Sequence, residues 1–173
     1  MRIIITILII ILGLFFSYFK LKPSSCGCGP HKSFVDGSSN TKLVALVKIE
    51  RYLTFSNFGY PHPHSMEVQI LKTIKGEDNR KTIKVFGDDG DLCRPYVNKF
   101  KPGETWVLGL YEGTNKEGYG QKDETKDDYF VWACNNLWLP VDSGIVTGYL
   151  THSDEKPEKE KMSVDEFVKL FKK

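Results

Sequence analysis

Several short segments of the chain alternate apolar and polar residues with a period of two, and the last of five is a continuous apolar run, YFVWAC; both patterns are typical of β-strands. They lie at 43–53, 66–74, 83–85, 106–110 and 129–134. Turn residues separate them, including a Pro102-Gly103 pair that suits a type II turn before the fourth segment. Five strands at this spacing predict a mainly β domain, either a small antiparallel barrel or a sandwich.

The end of the chain follows a helical pattern instead. Ser163 and Glu166 have the spacing of a capping box, which marks the start of a helix. The apolar residues that follow share one helical face: Val164, Phe167, Val168 and Phe171. We therefore expect residues 151–173 to form a charged, solvated linker (Thr151 to Lys161) and a short amphipathic helix that packs against the barrel.

A long apolar run, Ile3 to Phe19, dominates the first 25 residues. It is longer than the apolar region of a usual signal peptide and slightly short of a typical membrane span. Three interpretations remain open: a signal peptide cleaved before Cys26, lipidation at Cys26, or an uncleaved anchor helix. All three predict an exported domain that is secreted, periplasmic or anchored to the outer side of a membrane.

The charge balance argues against nucleic acid as a partner. The chain has 24 basic and 22 acidic side chains, a formal net charge of +2. Residues 1–25 contain Arg2, Lys20 and Lys22, so the remaining 148 residues have 21 basic side chains and are nearly neutral. This leaves no electrostatic argument for binding nucleic acid or an anionic membrane surface. We expect contact with a membrane only through the N-terminal segment or a lipid.

Four cysteines, Cys26, Cys28, Cys93 and Cys134, predict two disulfides in an exported chain. A bond between Cys26 and Cys28 would close a very small, strained ring. The two other pairings both tie the N-terminal segment to the middle and late parts of the chain. An alternative is a zinc or copper site made by Cys26, Cys28 and His31, although structural zinc prefers two to four residues between its cysteines and only Gly27 lies between these two.

Other candidate sites are weaker. His62 and His64 have no third metal ligand nearby in sequence, so an exposed loop is the favoured interpretation. Gly87 to Asp91 is acidic but lacks the final Glu of a calcium loop, which indicates a tight turn. Glu112 to Asp128 is polar and predicts a mobile hairpin loop. The chain shows no nucleophile elbow, phosphate loop or paired carboxylates, so we predict no enzymatic activity and no cofactor.

Several features together resemble the netrin-like domain of the tissue inhibitor of metalloproteinases family, in its short, bacterial-type form. They are the Cys26-Gly27-Cys28-Gly29-Pro30-His31 opening, a first strand of LVALVKI type, a turn at Lys75-Gly76, a third cysteine after a Gly-rich loop and a fourth at the end of strand five. The resemblance covers residues 26–150. It implies a five-stranded barrel of the oligonucleotide/oligosaccharide-binding (OB) type and the disulfides Cys26–Cys93 and Cys28–Cys134.

In that family, the α-amine and carbonyl of the first cysteine chelate the catalytic zinc of a protease. The resemblance thus implies that Cys26 is a ligand to a target's zinc, with no metal site in the chain itself. The implied inhibitory ridge consists of Cys26, Gly27, Cys28, Gly29, Pro30, Asp91 and Leu92. Gly27 would face the specificity pocket without a side chain, so apolar burial worth about 1.5–3 kcal/mol is missing. Asp91 adds a charge where the family's ridge is small and neutral.

We expect an exported, disulfide-bonded protein-binding domain that inhibits zinc metalloendopeptidases through its Cys26 N-terminus. The alternative is a membrane-tethered extracellular interaction or adhesion module without inhibitory activity, which Gly27, Asp91 and the ambiguous leader favour. A third interpretation, a small barrel that binds sugar or peptide, depends on Trp106, Trp132 and Trp138.

Overall fold

The structure is a computed structural model that describes residues 26–30, 32–56, 62–90, 92–116, 119–151 and 158–172. The leader or anchor expected at residues 1–25 lies outside the described residues. Within them, no helix has the length and apolar character needed to cross a membrane.

All five predicted segments contain strands, and these strands form a closed barrel. The barrel strands are β1 (Leu43–Tyr52), β4 (Ser65–Lys75), β5 (Thr82–Phe86), β6 (Thr105–Glu112) and β7 (Tyr129–Phe130), and a small hairpin is made by β2 (Phe55–Ser56) and β3 (His62–Pro63). The barrel order is β1, β4, β5, β7, β6, and pairing of β6 with β1 closes it. Only β5 and β7 pair in parallel. The prediction of a mainly β fold is confirmed, and its form is a barrel and not a sandwich.

Strand β1 is buried on both faces because two cores meet across it. Leu43, Val44 and Ala45 are all 0% exposed, so the start of the strand does not alternate between buried and exposed residues. Leu43 and Ala45 face the barrel interior, whereas Val44 belongs to a second apolar cluster. Since β4 and β6 pair with its two edges, β1 is the central strand of the domain.

The second cluster lies between the barrel and two short helices, α1 (Phe34–Gly37) and α2 (Val164–Lys169). The ring of Phe34 packs edge-on against Phe167, with centroids 5.5 Å apart, and Phe167 contacts Phe171 at 5.4 Å. The capping box at Ser163 is present, with its hydroxyl accepting from Glu166 N–H. The predicted C-terminal helix is therefore confirmed.

Three strands that the sequence pattern did not predict continue the sheet from β6: β8 (Trp138–Asp142), β9 (Ile145–Gly148) and β10 (Glu160–Ser163). The predicted solvated linker is wrong at its end, because Glu160 and Lys161 pair with β9. The Glu160 carboxylate also accepts hydrogen bonds from the backbone N–H groups of Leu150 and Thr151, over 3.1 and 2.9 Å. Residues 152–157 of the predicted linker lie outside the described residues.

The predicted fifth strand is wrong in its second half. Strand β7 stops at Phe130, and Cys134 begins a 3-10 turn that ends at Asn136. Asn135 and Asn136 have φ values of 71° and 48°, a left-handed conformation that asparagine tolerates better than most residues. The chain therefore turns at Cys134 instead of continuing as a strand.

The turn between β4 and β5 is tied to β7 through Asp78. Its carboxylate accepts hydrogen bonds from Arg80 Nη2 over 2.6 Å and from the Tyr129 hydroxyl over 2.8 Å. These bonds, led by those from Arg80, lower the pKa of Asp78 to about 2. The carboxylate is 6% exposed, so the group is charged and largely shielded from water.

Candidate functional site

The segment Cys26–Pro30, which we call the tip, is exposed along its whole length and belongs to no helix or strand. The N–H of Cys28 donates to the carbonyl oxygen of Cys26 over 2.9 Å, which folds the first residues into a tight turn. A carbonyl oxygen has two lone pairs, so that of Cys26 retains one for another partner.

Two disulfides hold the tip on the barrel. Cys26 is bonded to Cys93 and Cys28 to Cys134, with Cα–Cα distances of 5.5 and 5.4 Å. This is the pairing that the family resemblance implies. The bonded residues are 67 and 106 positions apart, and loops of that size are each worth about 4–5 kcal/mol alone in the chain-entropy model, less together. No cysteine is free, which leaves no thiolate for the zinc or copper site considered above.

The loop before Cys93 is organised by the side chain of Asp88. Its Oδ1 accepts hydrogen bonds from Gly90 N–H over 3.0 Å and from Leu92 N–H over 2.9 Å. This arrangement is the tight acidic turn that the sequence favoured. Leu92 is half-buried beside Cys93, and Asp91 lies outside the described residues. No cluster of three metal-ligating side chains occurs in the part of the chain that the structure describes.

The two loops that carry the outer cysteines are joined to each other. Ala133 N–H donates to the carbonyl oxygen of Cys93 over 3.0 Å, and Ala133 immediately precedes Cys134. Both disulfides therefore end on one hydrogen-bonded unit, and the tip is attached to it twice.

Arg94, next to Cys93, forms a buried ion pair with Glu124 that sequence reasoning missed. Arg94 Nη1 and Nη2 donate to the two carboxylate oxygens over 2.6 and 3.1 Å, and the side chains are 1% and 0% exposed. Arg94 also donates to the carbonyl of Tyr119 over 2.8 Å, and its guanidinium lies 4.0 Å from the centroid of the Phe130 ring. Contacts with Glu124, Tyr119 and Phe130 thereby fix the position of Arg94, the residue that follows Cys93.

The same ion pair orders the polar stretch that the sequence predicted as a mobile hairpin loop. Glu124 accepts hydrogen bonds from Thr114 N–H over 3.0 Å and Gln121 N–H over 3.1 Å. The Gln121 amide then donates to the carbonyl of Gly87 over 2.7 Å. Gln121 is 5% and Glu124 1% exposed, so these two side chains anchor the loop to the barrel. The antiparallel pairing of β6 with β7 confirms that the stretch is a hairpin loop.

Aromatic side chains extend from this ion pair to the surface beside the disulfides. Phe130 stacks on Tyr111 with centroids 5.5 Å apart and contacts Trp132 at 6.1 Å. Trp132 is 39% exposed and lies two positions before Cys134. An exposed indole close to the anchoring cysteines is a typical contact residue at protein interfaces.

The base of the tip is fixed by helix α1. Phe34 and Val35 donate their N–H groups to the carbonyls of Tyr149 and Leu150, over 2.8 and 3.1 Å. A Cβ on Gly37 would lie 2.7 Å from the Cβ of Asn135, so only glycine allows α1 to approach the turn at Cys134 this closely. The tip is thus fixed at Cys26 and Cys28 by the disulfides, and helix α1 fixes the part of the chain that follows it.

Gly27 stands in open space at the exposed tip. A Cβ built on it meets no atom within 4 Å, and the same holds for Gly29. Neither glycine has a backbone conformation that excludes L side chains, so both positions accept larger residues without strain.

The two histidines of the predicted loop do not come together as a metal site. His62 is exposed on β3, whereas the His64 side chain is 17% exposed, with its Nε2 3.9 Å from an oxygen of Asp123. Residues 57–61 of the same loop lie outside the described residues.

No protein-family model and no curated protein matches this chain. The site therefore stands on its own geometry: an exposed pair of residues, Cys26 and Gly27, supported by two disulfides and a buried ion pair. The disulfides are consistent with an extracellular or periplasmic protein.

Proposed function

We propose that the chain is an exported, disulfide-bonded protein-binding domain of the tissue-inhibitor-of-metalloproteinases type, which inhibits zinc endopeptidases through Cys26. The observation that carries this proposal is the exposed tip, attached by two disulfides to one rigid unit. The barrel order β1, β4, β5, β7, β6, closed by the antiparallel pairing of β6 with β1 and containing one parallel pair, β5 with β7, supports an OB-type fold for the domain.

The chemistry requires that Cys26 be the first residue of the processed protein. Its α-amine then has a pKa near 8 and is partly neutral at physiological pH, which suits it as a nitrogen ligand for zinc. The amine and the carbonyl oxygen of one residue close a five-membered chelate on the metal. A catalytic zinc keeps an open position for water or substrate and can expand to five-coordinate, so the amine and the carbonyl oxygen would displace the water and both bind the metal.

The disulfides contribute to affinity by reducing the entropy that the tip loses on binding. A flexible terminus must be ordered when it enters an active site, and ordering costs free energy. Here the exposed residues are fixed at Cys26 and Cys28 before any partner arrives. A free-standing Cys-Gly-Cys peptide would have the same ligand atoms and would bind far more weakly.

A test is the titration of a panel of zinc endopeptidases with the processed protein, whose start at Cys26 is verified by intact mass and N-terminal sequencing. The matched control has one alanine added before Cys26, which keeps both disulfides but displaces the amine. We expect inhibition by the first protein and its loss in the second. No inhibition by a protein that starts at Cys26, or equal inhibition by both, contradicts the proposal.

One observation favours the alternative of an extracellular interaction or adhesion module without inhibitory activity, tethered through residues 1–25 or a lipid. Gly27 presents no side chain at the position that would enter a protease pocket, and the space around it is empty. This alternative predicts a protein that stays with the membrane fraction and is retained there when the tip is altered. It is excluded if the protein is released into the medium and binds a protease through Cys26.

A further inference from the structure

A groove of about 400 Å³ lies on the sheet formed by β6, β8 and β9. Trp106 and Trp138, which contact the barrel core, also face this groove. Its lining includes three aromatic rings, a hydroxyl-bearing side chain and two lysines: Trp106, Trp138, Tyr149, Thr147, Lys99 and Lys159. None of this belongs to the proposed inhibitory site.

The two indole rings are held in fixed positions. The ring of Phe100 contacts Trp106 and Trp138 edge-on, with centroid distances of 5.1 and 6.5 Å. Trp106 Nε1 donates to an oxygen of Glu104 over 3.0 Å. Both indoles are only half-buried, so each presents a rigid apolar surface to solvent. Rigid rings lose little entropy when a ligand stacks on them.

The charge of the groove favours an anionic occupant. Lys99 Nζ lies 5.0 Å from the centroid of the Trp138 ring, and Lys159 also lines the groove. No carboxylate is among its described lining residues. The nearby Glu104 carboxylate is engaged with Trp106 and with Lys101 N–H, at 2.9 Å for the latter. A ligand carboxylate or sulfate would therefore meet two cations and no carboxylate within the described lining of the groove.

The backbone around the groove argues against an extended peptide. The floor is the face of a sheet whose strands are already paired, β6 with β8 and β8 with β9. A peptide that adds as a strand needs a free edge, which this face does not offer. Two lysines are also few for a nucleic acid, whose affinity comes mainly from many phosphate contacts. Flat aromatic rings beside hydroxyl groups and two cations suit a ring-shaped, polar, anionic ligand.

We propose that this groove binds an acidic saccharide. A pyranose ring stacks on Trp106 and Trp138, and its carboxylate or sulfate group pairs with Lys99 and Lys159. The groove does not depend on Cys26, so the proposal is independent of the proposed inhibitory function.

The test uses tryptophan fluorescence of the exported full-length chain, as processed by its host, with Trp132→Phe. This change leaves Trp106 and Trp138, both in the groove, as the reporting indoles. The probes are an unsulfated uronic-acid disaccharide, its sulfated form and the neutral disaccharide cellobiose. We expect saturable changes with an acidic probe and none with cellobiose. A response to both acidic probes identifies the carboxylate as the recognised group, and a response to the sulfated form alone identifies the sulfate.

Substitutions of groove residues distinguish saccharide binding in this groove from nonspecific binding elsewhere on the protein. Since exposed ion pairs are worth up to about 1 kcal/mol, Lys99→Gln and Lys159→Gln should each weaken binding by up to about fivefold. Trp138→Ala should weaken it by about tenfold or more, through loss of stacking. Lys101→Gln, an exposed lysine outside the groove lining, should change nothing. The two lysine variants lie at the surface and keep the test valid if Trp138→Ala does not fold.

The proposal is overturned by an absence of response to millimolar acidic disaccharide, by an equal response to cellobiose, or by binding that Lys99→Gln and Lys159→Gln leave unchanged. Binding of an acidic peptide or an oligonucleotide in the absence of any saccharide response also overturns it.

Discussion

Arg94 and Glu124 form a two-bond ion pair, 30 residues apart in sequence, that links the neighbour of Cys93 to the loop between β6 and β7. Their side chains are almost fully shielded from water. Because a buried charge without its partner is costly, this pair makes the position of Cys93 depend on the loop between β6 and β7.

Glu124→Gln should therefore lower the free energy of unfolding by about 3–5 kcal/mol, because it leaves the Arg94 guanidinium buried and unpaired. Denaturant unfolding measures this loss. The matched control is Glu67→Gln, which removes the partner of Arg51 in a pair that is 66% and 30% exposed and should cost less than about 1 kcal/mol. Equal losses in the two variants would contradict the structural role of the buried pair.

Gly27→Val should strengthen inhibition of an endopeptidase with an apolar specificity pocket by about tenfold or more, if the proposed function holds. The free energy of unfolding should stay unchanged, since a Cβ there meets no atom within 4 Å. Inhibition constants for Gly27→Val and Gly29→Val, measured against the same enzyme, check this. Gly29 has equal space but is two residues further along the tip, so an identical effect of both changes would show that the pocket does not select position 27.

Asp78 should make the protein less stable in acid. Its folded-state pKa of about 2 lies below the usual value near 3.9, so its stabilisation is complete above about pH 4 and is lost as the pH falls towards 2. The shift corresponds to about 2 kcal/mol. Unfolding measured from pH 6 to pH 2 should show this loss in the native protein and a smaller one in Asp78→Asn. If the free energy of unfolding falls equally with pH in the two proteins, another carboxylate determines the loss of stability in acid.

Phe167→Ala should lower the free energy of unfolding by about 3–5 kcal/mol, because Phe167 is fully buried against Phe34 in the second core. Phe171→Ala, which removes a half-buried ring two residues beyond the end of α2, should cost clearly less. If α2 is part of the same cooperative unit as the barrel, both variants will unfold in one transition by fluorescence and by circular dichroism. A separate early transition in Phe167→Ala would show that the helix is dispensable for the barrel.

Period-two alternation, together with one continuous apolar run, predicted the five barrel strands because every strand buries residues in the barrel interior. Closure of the barrel was not predictable from it, since the β5–β7 pairing joins two distant segments through only two register pairs. The three additional strands were missed for a local reason. They are four or five residues long, and Pro140, Gly144 and Gly148 interrupt any clear alternation.

The tip could be predicted from the sequence as a Cys-x-Cys opening, but the ion pair between Arg94 and Glu124 that stabilises its attachment could not. Glu124 lies in a run of polar residues and carries no signal that distinguishes it from its exposed neighbours. The fold places Glu124 next to Arg94, where it is buried and forms a structural ion pair instead of contacting water. The turn at Asn135 was likewise hidden, because the apolar letters before Cys134 favour a longer strand than the backbone forms.

The double attachment of the tip also determines what happens if a protease cuts it. Cleavage between Pro30 and Ser33 would leave residues 26–30 bound to the barrel through both Cys26 and Cys28. The cut product could not diffuse away, so the new chain ends would stay side by side and resealing of the peptide bond would compete with release. Both products of the cut would thus stay on one molecule, and the cut would show as a separate peptide only after reduction.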